Sequence, residues 1–161
     1  MNDAGEAIKA LRDGGIVIFP TDTAFGIGCR IDNIHSIKRL FNLRKRPVYQ
    51  ATPVLVDSIG MAEKYLYSPL PHNVRHLMEK YWPGALTIIC KCIINKVPPL
   101  VRGGGKNLGV RMPNLKKALA LIKRVGVPIL GPSANFHGQR TPYTFDQIDK
   151  KLIKLVDFVL K

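Results

Sequence analysis

The sequence predicts a single α/β domain, a mixed sheet with flanking helices. Short apolar runs alternate along the chain with stretches of helical period, which is the pattern of interleaved strands and helices. At 161 residues the chain can form one core and is too short for two domains of ordinary size. Hydrophobic residues at 46% and charged residues at 22% have the balance of a folded soluble protein, and exclude a disordered tail, a collagen-like repeat and a disulfide scaffold.

The elements follow in order. Residues 3–13 read as a helix with Asp3 as N-cap, Ala7, Ile8 and Leu11 as its apolar stripe, and Gly14-Gly15 as its stop. Residues 16–19 are an apolar strand ended by Pro20, and 20–28 read as a loop at its end. Asn33 caps a helix carrying Ile34, Ile37, Leu40 and Phe41, which ends in Arg44-Lys45-Arg46, where cations suit the helix dipole, and stops at Pro47. A strand is expected at 53–56, a helix from Ser58 through Leu66, and another over 72–81. Strands at 85–92 and 108–112 precede a helix capped by Asn114 with Leu115, Ala118, Leu119 and Ile122. A strand at 128–130, a structured loop over 131–142, a helix capped by Thr144 through about residue 152 and a last strand at 156–160 complete the chain. There are no repeats, linkers or low-complexity tracts, so residues 1–161 read as one domain.

The formal charge is +14, and it is segregated. Residues 38–50 hold five basic side chains and residues 80–145 hold eleven, both without an acid, while the rest of the chain nets −2. Two such segments converging on one face would attract phosphates, whether on a nucleotide, a polynucleotide or a lipid surface. No apolar run approaches the roughly 20 residues a membrane-spanning helix needs, and the acidic, helical N-terminus does not read as a signal peptide. Three cysteines fit a reducing compartment, so a cytoplasmic, membrane-free protein is expected.

Several familiar signatures fail. Gly26-Ile27-Gly28 lacks the third glycine of a dinucleotide fingerprint, since residue 31 is Ile. Gly103-Gly104-Gly105-Lys106 lacks the leading Gly of a phosphate-binding loop, and Asn107 replaces its Ser/Thr. His72 and His76 are one helical turn apart without further ligands, and Cys90 and Cys92 alternate along a strand as packing residues. Four stretches differ from these: 20–28, 44–47, 109–113 and 131–138 follow strands or the basic helix and are rich in Pro, Gly and small hydroxyl residues. Loops at strand ends are where α/β proteins hold ligands. Hydroxyls, amides and guanidinium groups with almost no carboxylate or imidazole make a poor acid–base site and a good anion cradle.

The order PTDTAFGIG (20–28), KRP (45–47), WPGALTII (82–89), GVRMP (109–113) and GPSAN (131–135) resembles the YrdC/TsaC family of threonylcarbamoyl-AMP synthases. The match runs from about Gly15 to Pro142 in the family's order. The resemblance implies a twisted YrdC/RibB-like sheet with a basic concave face. It implies formation of threonylcarbamoyl-adenylate and pyrophosphate from L-threonine, bicarbonate or CO2, and ATP. Mg2+ rides on the phosphates, and no side chain of this chain is expected to ligate a metal. The product serves the first step of N6-threonylcarbamoyladenosine synthesis in tRNA, so proteins that receive the adenylate are expected partners.

Carried over residue by residue, the resemblance assigns Thr23, Arg111 and Gly131 to the threonine, with Arg111 on its carboxylate. It assigns Arg44, Lys45, Arg46, Ser133, Asn135 and Thr141 to ATP, with Arg46 and Ser133 the foremost candidates for a catalysis that works by positioning and electrostatics. Trp82, Pro83, Gly84 and Thr87 match a structural motif. The chain departs from the family at Arg44, where Lys is usual, and at Phe25, where Tyr is usual. After Pro53, where some members have a threonine-binding His, it reads Val54-Leu55-Val56. The family's C-terminal Gly-rich strand and Ser-Thr motif are expected to be missing, because the sequence stops at Lys161. Two rivals remain: a related carbamoyl-adenylate-forming domain, as in hydrogenase maturation, and a non-catalytic module for double-stranded RNA or tRNA whose binding falls steeply with salt.

Overall fold

The computed structural model describes residues 3–161. Met1 and Asn2, the start of the N-terminal stretch considered above, lie outside the described residues. The chain runs α1 (Asp3–Arg12), β1 (Val17–Pro20), β2 (Phe25–Gly28), α2 (Ile34–Arg44), β3 (Val54–Leu55), α3 (Ile59–Glu63), α4 (His72–Tyr81), β4 (Ile88–Lys91), β5 (Asn107–Arg111), α5 (Lys116–Val125), β6 (Ile129–Leu130), α6 (Lys150–Ile153) and β7 (Phe158–Val159), with single 3-10 turns at Ile94–Lys96 and Phe145–Gln147.

Two hydrogen-bonded ladders build the sheet. In one, β1 lies between antiparallel β2 and parallel β7. In the other, the order is β4-β5-β3-β6, with only β3 and β5 parallel. Isolated bridges from Gly26 to Ser133 and from Arg30 to Ile129 join β2 to β6, so the ladders meet along one antiparallel seam. Gly28 makes this approach possible, because a Cβ there would sit 1.9 Å from the Leu130 carbonyl oxygen. The mixed α/β architecture expected from the sequence is the one observed.

Helix α1 buries the expected Ala7, Ile8 and Leu11, and packs with α5 against β1. Along β5, Leu108 and Val110 are buried, whereas Asn107, Gly109 and Arg111 face the opposite, open side. Ile89 of β4 pairs with Gly109 on that open side and is 71% exposed. Asn33 caps α2 by accepting the Ser36 amide, and Ser58 caps α3 in the same way through Met61, as their residue types require.

The structure corrects several boundaries. Residues 25–28, read as loop, form β2, because the glycines let it lie between two backbone neighbours. Asp3 lies inside the first turn of α1. Helix α3 ends at Glu63 because the chain from Leu66 pairs with Cys92 and Lys91. The strand expected over 85–92 shortens to β4 after the 82–86 turn, where the Trp82 indole donates to the Leu86 carbonyl at 2.7 Å. Leu115, not Asn114, is the N-cap of α5, and it makes no side-chain capping bond. The helix expected after Thr144 is split: Thr144 and Gln147 form a capping box around a 3-10 turn, and Asp149 caps the separate α6.

Candidate active site at the seam of the sheet

The turn between β1 and β2 is organised by one hydroxyl. Thr21 Oγ1 accepts from the amides of Thr23 and Ala24, both at 3.2 Å, and donates to the Ala24 carbonyl at 2.6 Å. A short side chain thereby stands in for a backbone turn and fixes the next two residues. Thr23 Oγ1, held there, accepts from Arg111 Nη1 at 2.8 Å, and Arg111 Nη2 forms an ion pair with Asp22. The two charged side chains are only 12% and 15% exposed, and Arg111 Nε is buried without a partner. The turn is thus fastened to β5 across the sheet.

A cavity of about 250 Å³ opens beside this pair. Thr21, Thr23 and Arg111 form one side, and Gly131, Ser133, Thr141 and Tyr143 another. Phe25 and Leu55 supply apolar wall. The Phe25 ring is held edge-on by Phe145, centroids 6.2 Å apart. Gly131 is required by close packing, since a Cβ there would lie 2.4 Å from Leu55 Cγ.

Behind Ser133 lies a polar brace. Ser133 Oγ donates to Asn135 Oδ1 at 2.7 Å, and Arg44 donates from Nε to the Asn135 carbonyl at 2.9 Å and from Nη2 to Asn135 Oδ1 at 3.0 Å. The Asn135 amide group donates onward to the Gln139 carbonyl. Arg44 is 3% exposed, and among the described residues it has no carboxylate against it and no partner for Nη1. Burial, helped by the nearby charge of Arg46, pulls its guanidinium down to about 10. Lys45 adopts the left-handed conformation (φ 54°) that ends α2, with its amide on Asn42 and that of Arg46 on Phe41. Lys45 is exposed, while Arg46 turns its guanidinium onto the Gln50 and Ala51 carbonyls, and partial burial lowers its pKa from the ordinary value.

The family model for the Sua5/YciO/YrdC domain, described as "Telomere recombination", matches residues 9–161. The chain belongs to this family. It is 34% identical over 156 residues to the threonylcarbamoyl-AMP synthase of Bacillus subtilis (strain 168), a match that covers 94% of this chain and 45% of that protein. The solved structure of H234A/Y235A P. abyssi Sua5 superposes with a TM-score of 0.90 at 28% identity, covering 99% of this chain and 49% of that one. The structure of P. abyssi Sua5 complexed with L-threonine gives 0.81 at 30% identity, covering 89% and 44%. The chain therefore spans about half the length of these relatives.

Of the residues singled out in the sequence, the fold brings Thr23, Arg111, Gly131, Ser133 and Thr141 to one cavity. Asn135 and Arg44 stand behind it. Arg44, which the resemblance assigns to ATP, is a buried brace of the 133–139 loop, because it falls on the face of α2 that also buries Ile37, Leu40 and Phe41. Lys45 and Arg46 do not line the cavity. His72 and His76 lie exposed on α4, and among the described residues no group of three His, Cys, Asp or Glu side chains could hold a metal. No described helix is long and apolar enough to cross a membrane. Asp22, Leu55 and Tyr143 were missed. Asp22 had a signal, being the only acid between residues 14 and 31 and next to Thr23. Leu55 reaches the cavity through strand register alone, by pairing with Arg111 on one side and Ile129 on the other.

Proposed function

We propose that the chain is a threonylcarbamoyl-AMP synthase domain, joining L-threonine, CO2 or bicarbonate, and ATP. The observation that carries this reading is one cavity in which a buried-edge guanidinium, Arg111, faces the hydroxyls of Ser133 and Thr141 on the seam loop. Arg111 would hold the threonine carboxylate through its remaining N–H groups, with Thr23 beside it. Phe25 and Leu55 would pack on the aliphatic part of the amino acid, which suits a side chain with a methyl group. Ser133 and Thr141 would meet the α-phosphate, with Lys45 and Arg46 supplying positive potential from the end of α2.

In the reaction, the threonine nitrogen bonds to CO2 and loses a proton. A carbamate oxygen then attacks the α-phosphorus, the bond to the β-phosphate oxygen breaks, and pyrophosphate leaves. The cavity wall offers no free carboxylate or imidazole to act as base, since its nearest carboxylate, Asp22, is committed to Arg111. Rate enhancement would come from alignment and charge neutralisation. With no free carboxylate on the cavity wall, Mg2+ would be held by the ATP phosphates and its own water rather than by side chains, which suits an ion that dehydrates reluctantly and is seldom bound in an all-protein cage. Its chemistry there is neutralisation of phosphate charge.

The test is pyrophosphate release from MgATP by the purified chain. Release that requires L-threonine and bicarbonate together supports the reading. Absence of stimulation by threonine, with RNA retained at low salt and released as salt rises, would replace it with the RNA-binding module.

A further inference from the structure

Among the described residues Arg111 is the only charged side chain lining the cavity, yet it does not present a free positive charge. Asp22 sits against Nη2, Thr23 Oγ1 accepts a hydrogen bond from Nη1, and Nε is closed into the wall. Two consequences follow from chemistry alone. The guanidinium is oriented by partners on both of its terminal nitrogens before any ligand arrives. Its charge is also balanced at contact distance by a carboxylate that is itself mostly buried, so a second anion entering there meets a neutral pair rather than a cation. A carboxylate carrying one negative charge, borne by a molecule with an amino group, pays little for this. A phosphate dianion pays much more, because its second charge has no counter-ion and the Asp22 charge, held against Arg111, repels it.

We propose that Asp22 is a positioning and charge-selecting residue: it fixes Arg111 and cancels its charge, so that this end of the cavity takes an amino-acid carboxylate and turns away phosphoryl groups. In a site that must hold an amino acid and a triphosphate side by side, such a pair keeps the phosphates out of the amino-acid position. The amino-acid part rests on the function proposed above; the charge selection does not, and the two are tested separately.

The experiment uses the full chain and the variants Asp22→Asn, Asp22→Ala, Asp22→Glu and Asp22→Asn with Arg111→Gln, titrated with sodium phosphate and with L-threonine by calorimetry and checked for folding by thermal melts. Asp22→Asn keeps an oxygen acceptor for Arg111 and removes only the charge. It should bind inorganic phosphate about ten-fold more tightly than wild type, and Arg111→Gln in that background should abolish the gain. No gain, or a gain that survives loss of Arg111, overturns the charge selection. L-threonine affinity should fall about ten-fold in Asp22→Ala and recover largely in Asp22→Glu; unchanged affinity in Asp22→Ala overturns the positioning role. A wild-type chain without affinity for threonine, whose Asp22→Asn variant still gains Arg111-dependent phosphate binding, supports the charge selection and sinks the threonine reading instead.

Discussion

Replacing Arg44 by Met should leave stability nearly unchanged while loosening the loop that carries Ser133. The fall of the Arg44 guanidinium from its ordinary value to about 10, caused first by burial and then by the charge of Arg46, corresponds at about 1.36 kcal/mol per unit to a cost of about 3 kcal/mol for keeping it charged. The sign is that of a depressed cation: the folded chain binds this proton less tightly than the unfolded one. The cost is therefore present at every pH below about 10 and is relieved as pH rises from there towards the ordinary guanidinium value. Methionine removes that cost and fills similar space. It forfeits two hydrogen bonds to Asn135, worth about 1 kcal/mol each, and leaves a carbonyl shut in at about 1–3 kcal/mol. The terms nearly cancel, so urea unfolding at pH 7 should place Arg44→Met within about 2 kcal/mol of wild type. Hydrogen exchange of the Asn135 amide should nevertheless quicken, and ATP affinity should fall about ten-fold. A loss above about 4 kcal/mol would refute the reasoning, since it would make the lone buried guanidinium strongly stabilising. Unchanged exchange at Asn135 would refute the brace.

Three further outcomes are expected. Gly131→Ala should destabilise by about 1–3 kcal/mol through overpacking against Leu55, and Leu55→Ala in the same chain should recover part of that loss; additive losses in chemical denaturation would show that the two sites do not share the space. Burial raises the Asp157 carboxyl, but its bonds to Arg39 and to the Ile16 amide outweigh this and set it below 3.8. Its contribution should be intact above that value and lost as pH falls through the lowered one, so Asp157→Asn should flatten the acid limb of a stability–pH curve; an unaltered acid limb would contradict this. The Cys29 thiol, pushed up to about 12 by burial despite the opposing charge of Arg39, should resist iodoacetamide at pH 8 until urea unfolds the chain, whereas partly exposed Cys90 should react in the native state; prompt native labelling of Cys29, read by mass spectrometry, would contradict the packing.

Local signals explain what was legible. The apolar stripe of α1, the Asn33 and Ser58 caps and the run of β1 are set by side chains within a few residues of one another, and each is present, although β1 starts at Val17 and takes in Pro20 rather than ending before it. Features set across the chain were not legible. β2 looks like a glycine-rich loop because its glycines serve neighbours more than 100 residues away: Gly28 admits Leu130, and Gly26 bridges to Ser133. Arg44 looks like its neighbours Lys45 and Arg46 in composition, but it continues the buried stripe of Ile37, Leu40 and Phe41 on α2, and the left-handed turn at Lys45 then ends the helix. In the site, residue types that announce an anion cradle were visible in Thr23, Arg111 and Ser133. Asp22 stands out locally as a lone acid beside Thr23, but its pairing with Arg111, like the Leu55 wall, depends on sheet register, which no local pattern encodes.

The location of the cavity is itself a consequence of the seam. Beyond β6 the chain continues along β2 as residues 131–134, with the Ile27 amide on the Pro132 carbonyl at 2.9 Å and the Ala134 amide on the Phe25 carbonyl at 2.8 Å. Ser133 is therefore carried on the same pair of strands as the turn that holds Thr23, and Arg111 is tied to that turn from β5. The groups proposed to meet the amino acid and those proposed to meet the phosphate are spaced by main-chain hydrogen bonds, not by the chance conformation of two loops. A reaction with no free base in its cavity wall gains mainly from holding its reactants within a fraction of an ångström of the productive geometry. A backbone seam without side chains at Gly26 and Gly28 is a means of doing so. The glycines that read as a failed nucleotide fingerprint would thus bear on the proposed chemistry, by admitting a strand rather than by touching a phosphate.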